Sequence, residues 1–178
     1  MTGVVHSLDD RVDGYFDRLR GNPLADRVFY TASSLGEFGL VWVMLALLRA
    51  LRGGARNERA ALRSITGTVV ESVLVNALLK SLFRRARPVS EVVHPHPFRQ
   101  PLTSSFPSGH ATAAFCAATL LSEQDPLGPL YFAAATVVAA SRVHTKIHHA
   151  SDVVGGIAIG TLLGAIGRRI APLPPRRS

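Results

Sequence analysis

The chain has 178 residues, a formal net charge of +8 and a single cysteine, Cys116. That length fits one domain rather than two, and one cysteine excludes a disulfide framework. Charged residues make up only 18%, below the roughly 25% of ordinary soluble domains, and the arginines stand at the ends of apolar runs with no aromatic residues between them. The basic balance therefore reads as membrane topology and excludes a nucleic-acid surface.

In chain order, residues 7–20 place Leu8, Val12, Tyr15, Phe16 and Leu19 at helical spacing with acids and arginines between them, which predicts an amphipathic helix on the membrane surface. Residues 1–22 are accordingly read as an interfacial segment. The first twenty residues lack the apolar core of a signal peptide, so the first span itself is expected to direct insertion. After Gly21-Asn22-Pro23 the pattern is helical to about Leu51 and strongly apolar beyond Glu37, with Trp42 in packing or lipid contact. Four further charge-poor runs predict spans at about 60–85, 107–122, 127–141 and 151–170. The 60–85 span contains Glu71 and Asn76, ionisable and polar groups that are costly at such depth; a hydrogen bond from Glu71 to a neighbouring helix is expected. Gly156, Gly160 and Gly164 recur every four residues on the last span, a smooth stripe suited to close helix contact, with the small residues of the 127–141 span as expected partners. The whole reads as all-α: a polytopic transmembrane helical bundle of about five or six membrane helices with an N-terminal interfacial helix, its membrane domain over 23–171 and a disordered tail over 172–178.

Basic residues set the orientation. Arg49, Arg52, Arg56, Arg59 and Arg63 between the first two spans, and Arg168, Arg169, Arg176 and Arg177 after the last, mark cytoplasmic connections. The expected setting is a multi-pass cell-membrane protein whose polar clusters gather on the extracytoplasmic face.

Three such clusters carry candidate chemistry. In KSLFRRARP, a helix would align Lys80, Arg84 and Arg87 on one stripe before Pro88 stops it. That makes an anion cradle, whereas Arg85 best fits a basic residue snorkelling to lipid headgroups. In SSFPSGHA, the start of an apolar helix exposes backbone N–H groups suited to phosphate, Gly109 allows close approach, and His110 is placed to give a proton to a departing oxygen. In SRVHTKIHHASD, Arg142 ends one span and Asp152 begins the next, with both His148 and His149 within reach of that carboxylate. A carboxylate holding one ring nitrogen and leaving the other free is the arrangement of nucleophilic catalysis. His144 and His148, four apart, raise metal binding as a rival, but no Glu follows His144 to serve as base.

Lys80, six residues and Arg87-Pro88, then Pro107-Ser108-Gly109-His110, then Ser141-Arg142, five residues, His148, three more and Asp152, together resemble the complete three-part signature of the type 2 phosphatidic acid phosphatase family. The resemblance implies a metal-independent membrane phosphatase that needs no cofactor and works through a phosphohistidine. It assigns His148 as nucleophile over His149, Asp152 as its orienting carboxylate and His110 as the proton donor. Lys80, Arg87, Arg142, Ser108 and Gly109 become the phosphate holders, and Arg84, sharing a predicted face with Lys80 and Arg87, a supporting cation. The substrate is then a lipid phosphate met among membrane lipids. A polyprenyl carrier is favoured over phosphatidate or phosphatidylglycerol phosphate, and a lipid-phosphate binding or transport protein is the non-enzymatic alternative. Headgroup selection is assigned to the loop 89–106, with His94 and Arg99 as contacts. The oligomeric state is not legible.

Overall fold

The computed structural model describes residues 2–89 and 103–175; His94 and Arg99 lie outside them. Among the described residues there are seven helices: α1 (Thr2–Asp17), α2 (Pro23–Leu35), α3 (Leu40–Leu51), α4 (Ala55–Leu82), α5 (Gly109–Ser122), α6 (Gly128–His144) and α7 (Ala150–Ile170). α5 is the central post, packed against α7, α6 and α4. Its alanines explain that position, because Ala111, Ala114, Ala117 and Ala118 let neighbouring backbones come close on several sides. Trp42 is buried with Ala46, Ala61, Tyr131 and Ala135 in the same core, so it is a packing residue.

Large apolar side chains such as Leu47, Leu51, Leu62, Val73, Leu82, Leu130, Leu162 and Ile170 point outward, the inverse of a soluble bundle and the expected dress of a protein solvated by lipid. α4 and α7 are long and apolar enough to cross a membrane, and α2 with α3 would add a third crossing if that bent pair is one span.

Several elements depart from the sequence reading. The helix expected over 23–51 is broken, with α2 and α3 meeting at 76°. The break is built by a short 3-10 turn, Glu37–Gly39, in which Gly39 takes φ +69°, a left-handed conformation that a side chain would strain. α4 starts a turn earlier than expected and passes through a π-helical segment, Leu74–Leu79. It then ends at Leu82, short of the expected 85. Phe83 is extended, with its ring edge-on to Phe106 at 4.8 Å, and the chain is drawn off the helix by pairing with the segment before α5: Ser105 N donates to Arg85 O at 2.9 Å and Arg85 N to Ser104 Oγ at 3.2 Å.

The glycine stripe meets α5 rather than α6. A Cβ on Gly156, Gly160 or Gly164 would strike Ser108 O, Thr112 O or the Thr119 side chain, respectively. Glu71 is buried with neither carboxyl oxygen hydrogen-bonded, contrary to the expected helix-to-helix bond.

The far end of α5 is closed by arginines. Its last carbonyls accept from three neighbours: Arg168 to Thr119 O, Arg63 to Leu120 O at 2.8 Å and Arg49 to Leu121 O. Arg63 also pairs with Glu123 at 2.7 Å and Arg49 with Asp125 at 3.2 Å. Three of the residues counted as topology markers are therefore C-terminal caps, where a cation meets the negative end of the helix dipole.

Candidate active site

Three chain segments converge at the N-terminal end of α5. The first is the extended run after α4. Because alternate residues of an extended chain share a side, Arg85 and Arg87 turn inward together and Arg84 is left exposed. Pro88 favours this, since the residue before a proline is biased away from the helical region. The cation expected from Arg84 is thus supplied by Arg85, and the lipid-facing role expected of Arg85 is not what the structure shows. Lys80 keeps its expected place: a Cβ on Gly109 would lie 3.5 Å from Lys80 Nζ, so the ammonium faces the Ser108–Gly109 backbone.

The second segment is the start of α5. Ser108 is its N-cap, fully buried, with its N–H donating to Asp152 O at 3.1 Å. Its Oγ has no protein partner, and neither does the buried Nε2 of half-buried His110. The other side of the His110 ring is held by the backbone of Ser33.

The third is the turn 145–149 between α6 and α7. Ile147 N and His148 N both donate to Arg142 O, at 3.2 and 3.1 Å, a tight reversal with Lys146 at φ +51°. This reversal brings His148 beside Arg142. The Arg142 side chain is buried, Nη1 bonded to Ser33 Oγ and Nε without a partner. His144 turns away to Asp26 at 2.7 Å among Phe16, Phe29 and Tyr30, so it shares no ligand position with His148. His149 contributes its backbone N–H, which donates to Asp152 Oδ2 at 2.9 Å.

His148, 4% exposed, lies between Arg87 and Asp152. Arg87 Nη1 is 3.3 Å from His148 Nε2 and also donates to Ile147 O at 3.0 Å. A guanidinium only donates, so Nε2 must be the lone-pair nitrogen and the proton belongs on Nδ1. That nitrogen faces Asp152 Oδ2 at 3.7 Å, with Ser105 Oγ beside the pair, 3.5 Å from Nδ1 and donating to Oδ2 at 2.5 Å. Burial first, then the charges of Arg142 and Arg87, push the imidazole down to about 4, with Asp152 opposing. The ring is therefore neutral near pH 7. The fields of Arg142, His148 and Lys80 all reach His110, and those of Arg87 and Arg142 reach Lys80, so the eight residues singled out from the sequence form one neighbourhood.

Sequence reasoning missed Ser105, Arg85 and Ser33. The period of two before Pro88 carried a readable signal for Arg85. Ser105 and Ser33 carried none, because one lies on a pairing made with a distant segment and the other on a helix outside all three motifs.

Comparisons with known proteins give the family and the fold. A sequence profile described as the PAP2 superfamily matches residues 61–173. Decaprenylphosphoryl-5-phosphoribose phosphatase of Mycobacterium tuberculosis is 34% identical over 148 residues, 80% of this chain and 81% of that protein. Two crystal structures share the fold. The first transmembrane PAP2 type phosphatidylglycerolphosphate phosphatase, from Bacillus subtilis, superposes with a TM-score of 0.72 at 23% identity, covering 94% of this chain and 86% of that one. LpxE of Aquifex aeolicus does so with a TM-score of 0.71 at 27% identity, covering 93% and 95%.

Proposed function

This chain belongs to the PAP2 superfamily and is a membrane lipid phosphatase, and from that premise we propose that it removes phosphate from a polyprenyl-linked lipid through a phosphohistidine on His148. The observation that carries the chemistry is a set of buried groups with no protein partner, Ser108 Oγ, His110 Nε2 and Arg142 Nε, gathered around an imidazole whose lone pair is aimed by Arg87. A tetrahedral anion satisfies them together, and leaving them unsatisfied is costly in a buried site.

In the first half-reaction His148 Nε2 attacks phosphorus and the bond from phosphorus to the leaving oxygen breaks. His110, doubly protonated when the phosphate dianion is bound, gives that oxygen the proton from Nε2 and is left neutral. Lys80, Arg87, Arg142 and the N-terminal amides of α5 hold the equatorial oxygens, where charge spreads in the transition state. As His148 becomes cationic, Nδ1–H faces Asp152 and Ser105, which stabilise it. In the second half-reaction water attacks phosphorus, His110 takes its proton, and the N–P bond breaks to release inorganic phosphate and neutral His148.

The polyprenyl class is favoured by the relative named above, which acts on a phosphoribose carried by decaprenyl phosphate. We further place the site on the extracytoplasmic face of the cell membrane, with α5 and α6 as additional spans and the amphipathic α1 at the membrane surface. The test is phosphate release in detergent and EDTA from a panel of decaprenylphosphoryl-5-phosphoribose, farnesyl phosphate, phosphatidate and phosphatidylglycerol phosphate, with His148→Ala as the inactive control. Preference for the two prenyl lipids supports the reading, preference for the glycerolipids overturns the substrate class, and activity that needs added zinc overturns the mechanism.

A further inference from the structure

Beyond the eight residues of the motifs, a second acidic group is built into the site from α1. Asp9 is 3% exposed, and both of its oxygens are engaged. Oδ2 accepts from Arg85 Nη2 at 2.6 Å and from Ser151 Oγ at 2.8 Å, while Oδ1 accepts from Ser151 N at 2.8 Å. Arg85 spans the gap to the catalytic carboxylate, its Nη1 donating to Asp152 Oδ1 at 2.6 Å and to Ser151 Oγ at 2.7 Å. One guanidinium is therefore shared by two buried carboxylates, 76 residues from one and 67 from the other.

We propose that Asp9 is a positioning residue for the phosphoryl transfer, acting on His148 through Arg85 and Asp152, so that α1 is part of the catalytic unit. Two physical consequences follow from the sharing. Geometrically, Asp9 fixes the plane of the guanidinium and the first turn of α7, and that holds Asp152 Oδ1 so that Oδ2 is left for Ser105, His149 N–H and the His148 ring. Electrostatically, a carboxylate paired alone with one arginine is neutralised, whereas a second carboxylate on the same arginine leaves the cluster with a net negative charge. That charge faces Nδ1 of His148 and stabilises the imidazolium that forms as Nε2 bonds phosphorus. The same helix grips the turn carrying His148 independently, since Asp13 and Asp17 each lie 3.3 Å from Lys146 Nζ and Arg20, just beyond α1, donates to Val143 O and His144 O at 2.8 Å.

This inference rests on the phosphatase reading, and one set of assays separates the two. The full-length protein is assayed in detergent on farnesyl phosphate, or on the best lipid of the panel, and vanadate serves as a phosphate-shaped inhibitor. Asp9→Asn is expected to lower kcat about 10- to 100-fold, the range typical when an outer partner of an active-site ligand is lost. KM and the vanadate inhibition constant should change less than about twofold, because Lys80, Arg87 and Arg142 are untouched. Asp10→Asn, on the exposed side of the same helix, is the control and stays at wild-type activity. Wild-type kcat in a folded Asp9→Asn protein overturns the proposal, as does a rise of KM and the vanadate constant in step with the loss, which would mean a loosened site rather than a misaimed histidine. If Asp9→Asn does not survive purification, Ser151→Ala removes one link of the same chain. It is expected to lower kcat several-fold at constant KM, and an unchanged kcat there sinks the idea. Should the wild type release phosphate and His148→Ala not, the phosphatase reading stands whatever Asp9→Asn does. A wild type that hydrolyses no lipid overturns both.

Discussion

Arg84 and Arg85 are adjacent in sequence, yet only Arg85 reaches the Asp152 carboxylate, at 2.6 Å, while Arg84 is exposed. The difference is a matter of period: helical spacing would have selected Arg84, and the extended chain after Leu82 selects Arg85. Arg85→Gln is therefore expected to lower kcat by about tenfold or more, and Arg84→Gln to leave it within about twofold, measured as phosphate release by the purified proteins. Ser105 Oγ donates to Asp152 Oδ2 at 2.5 Å beside His148 Nδ1 and so fixes the oxygen that faces the ring; Ser105→Ala should cost about tenfold in kcat at constant KM. In the proposed mechanism, protonation of His148 removes the attacking lone pair. Because burial and the neighbouring arginines hold that ring at about 4 rather than the ordinary 6.5, activity is kept as pH falls through 6 and is lost only as pH approaches the lowered value. In the profile of kcat/KM, corrected for ionisation of the substrate, an acid limb near 6.5 would contradict this environment for His148.

At the scale of elements, α5 has both ends of its dipole answered. Its N-terminal amides, with Lys80 nearby, face the anion site, and its C-terminal carbonyls meet Arg168, Arg63 and Arg49. Arg49 and Arg63 are nearly fully buried, so removing either leaves an α5 carbonyl without its donor and a carboxylate with one arginine instead of two, Arg52 on Asp125 or Arg168 on Glu123. Arg63→Met is expected to destabilise by about 1–3 kcal/mol through the orphaned carbonyl, seen as a lower Tm in detergent, while the folded fraction keeps its kcat because the site lies at the opposite end of α5. α7 approaches α5 along the glycine stripe. Gly160→Ala brings a methyl group onto the Thr112 carbonyl, a backbone atom that cannot swing aside. The expected loss is about 1–3 kcal/mol, with a matching fall in Tm.

At the scale of the whole molecule, the outward apolar side chains and the polar cluster at one end describe a protein that works where lipid meets water. Cysteine at Arg84, on the site side, and at Arg59, on the opposite end, tests the proposed orientation, because the native Cys116 is buried and silent. A membrane-impermeant maleimide applied to intact cells should label the Arg84→Cys protein and spare Arg59→Cys; the reverse pattern would place the site inward. The sequence by itself determined the helical class and the apolar character, because helical periodicity and charge depletion are local properties of the chain, and it carried the eight motif residues through their match to a family signature. The broken α2–α3 pair, the end of α4 at Leu82, the α5 partner of the glycine stripe and the recruitment of Asp9, Ser33, Arg85 and Ser105 were decided only by tertiary structure. Each depends on a contact between segments tens of residues apart, such as Phe83 on Phe106 or Arg85 between Asp9 and Asp152, and no local pattern encodes which distant partner a buried charge will find.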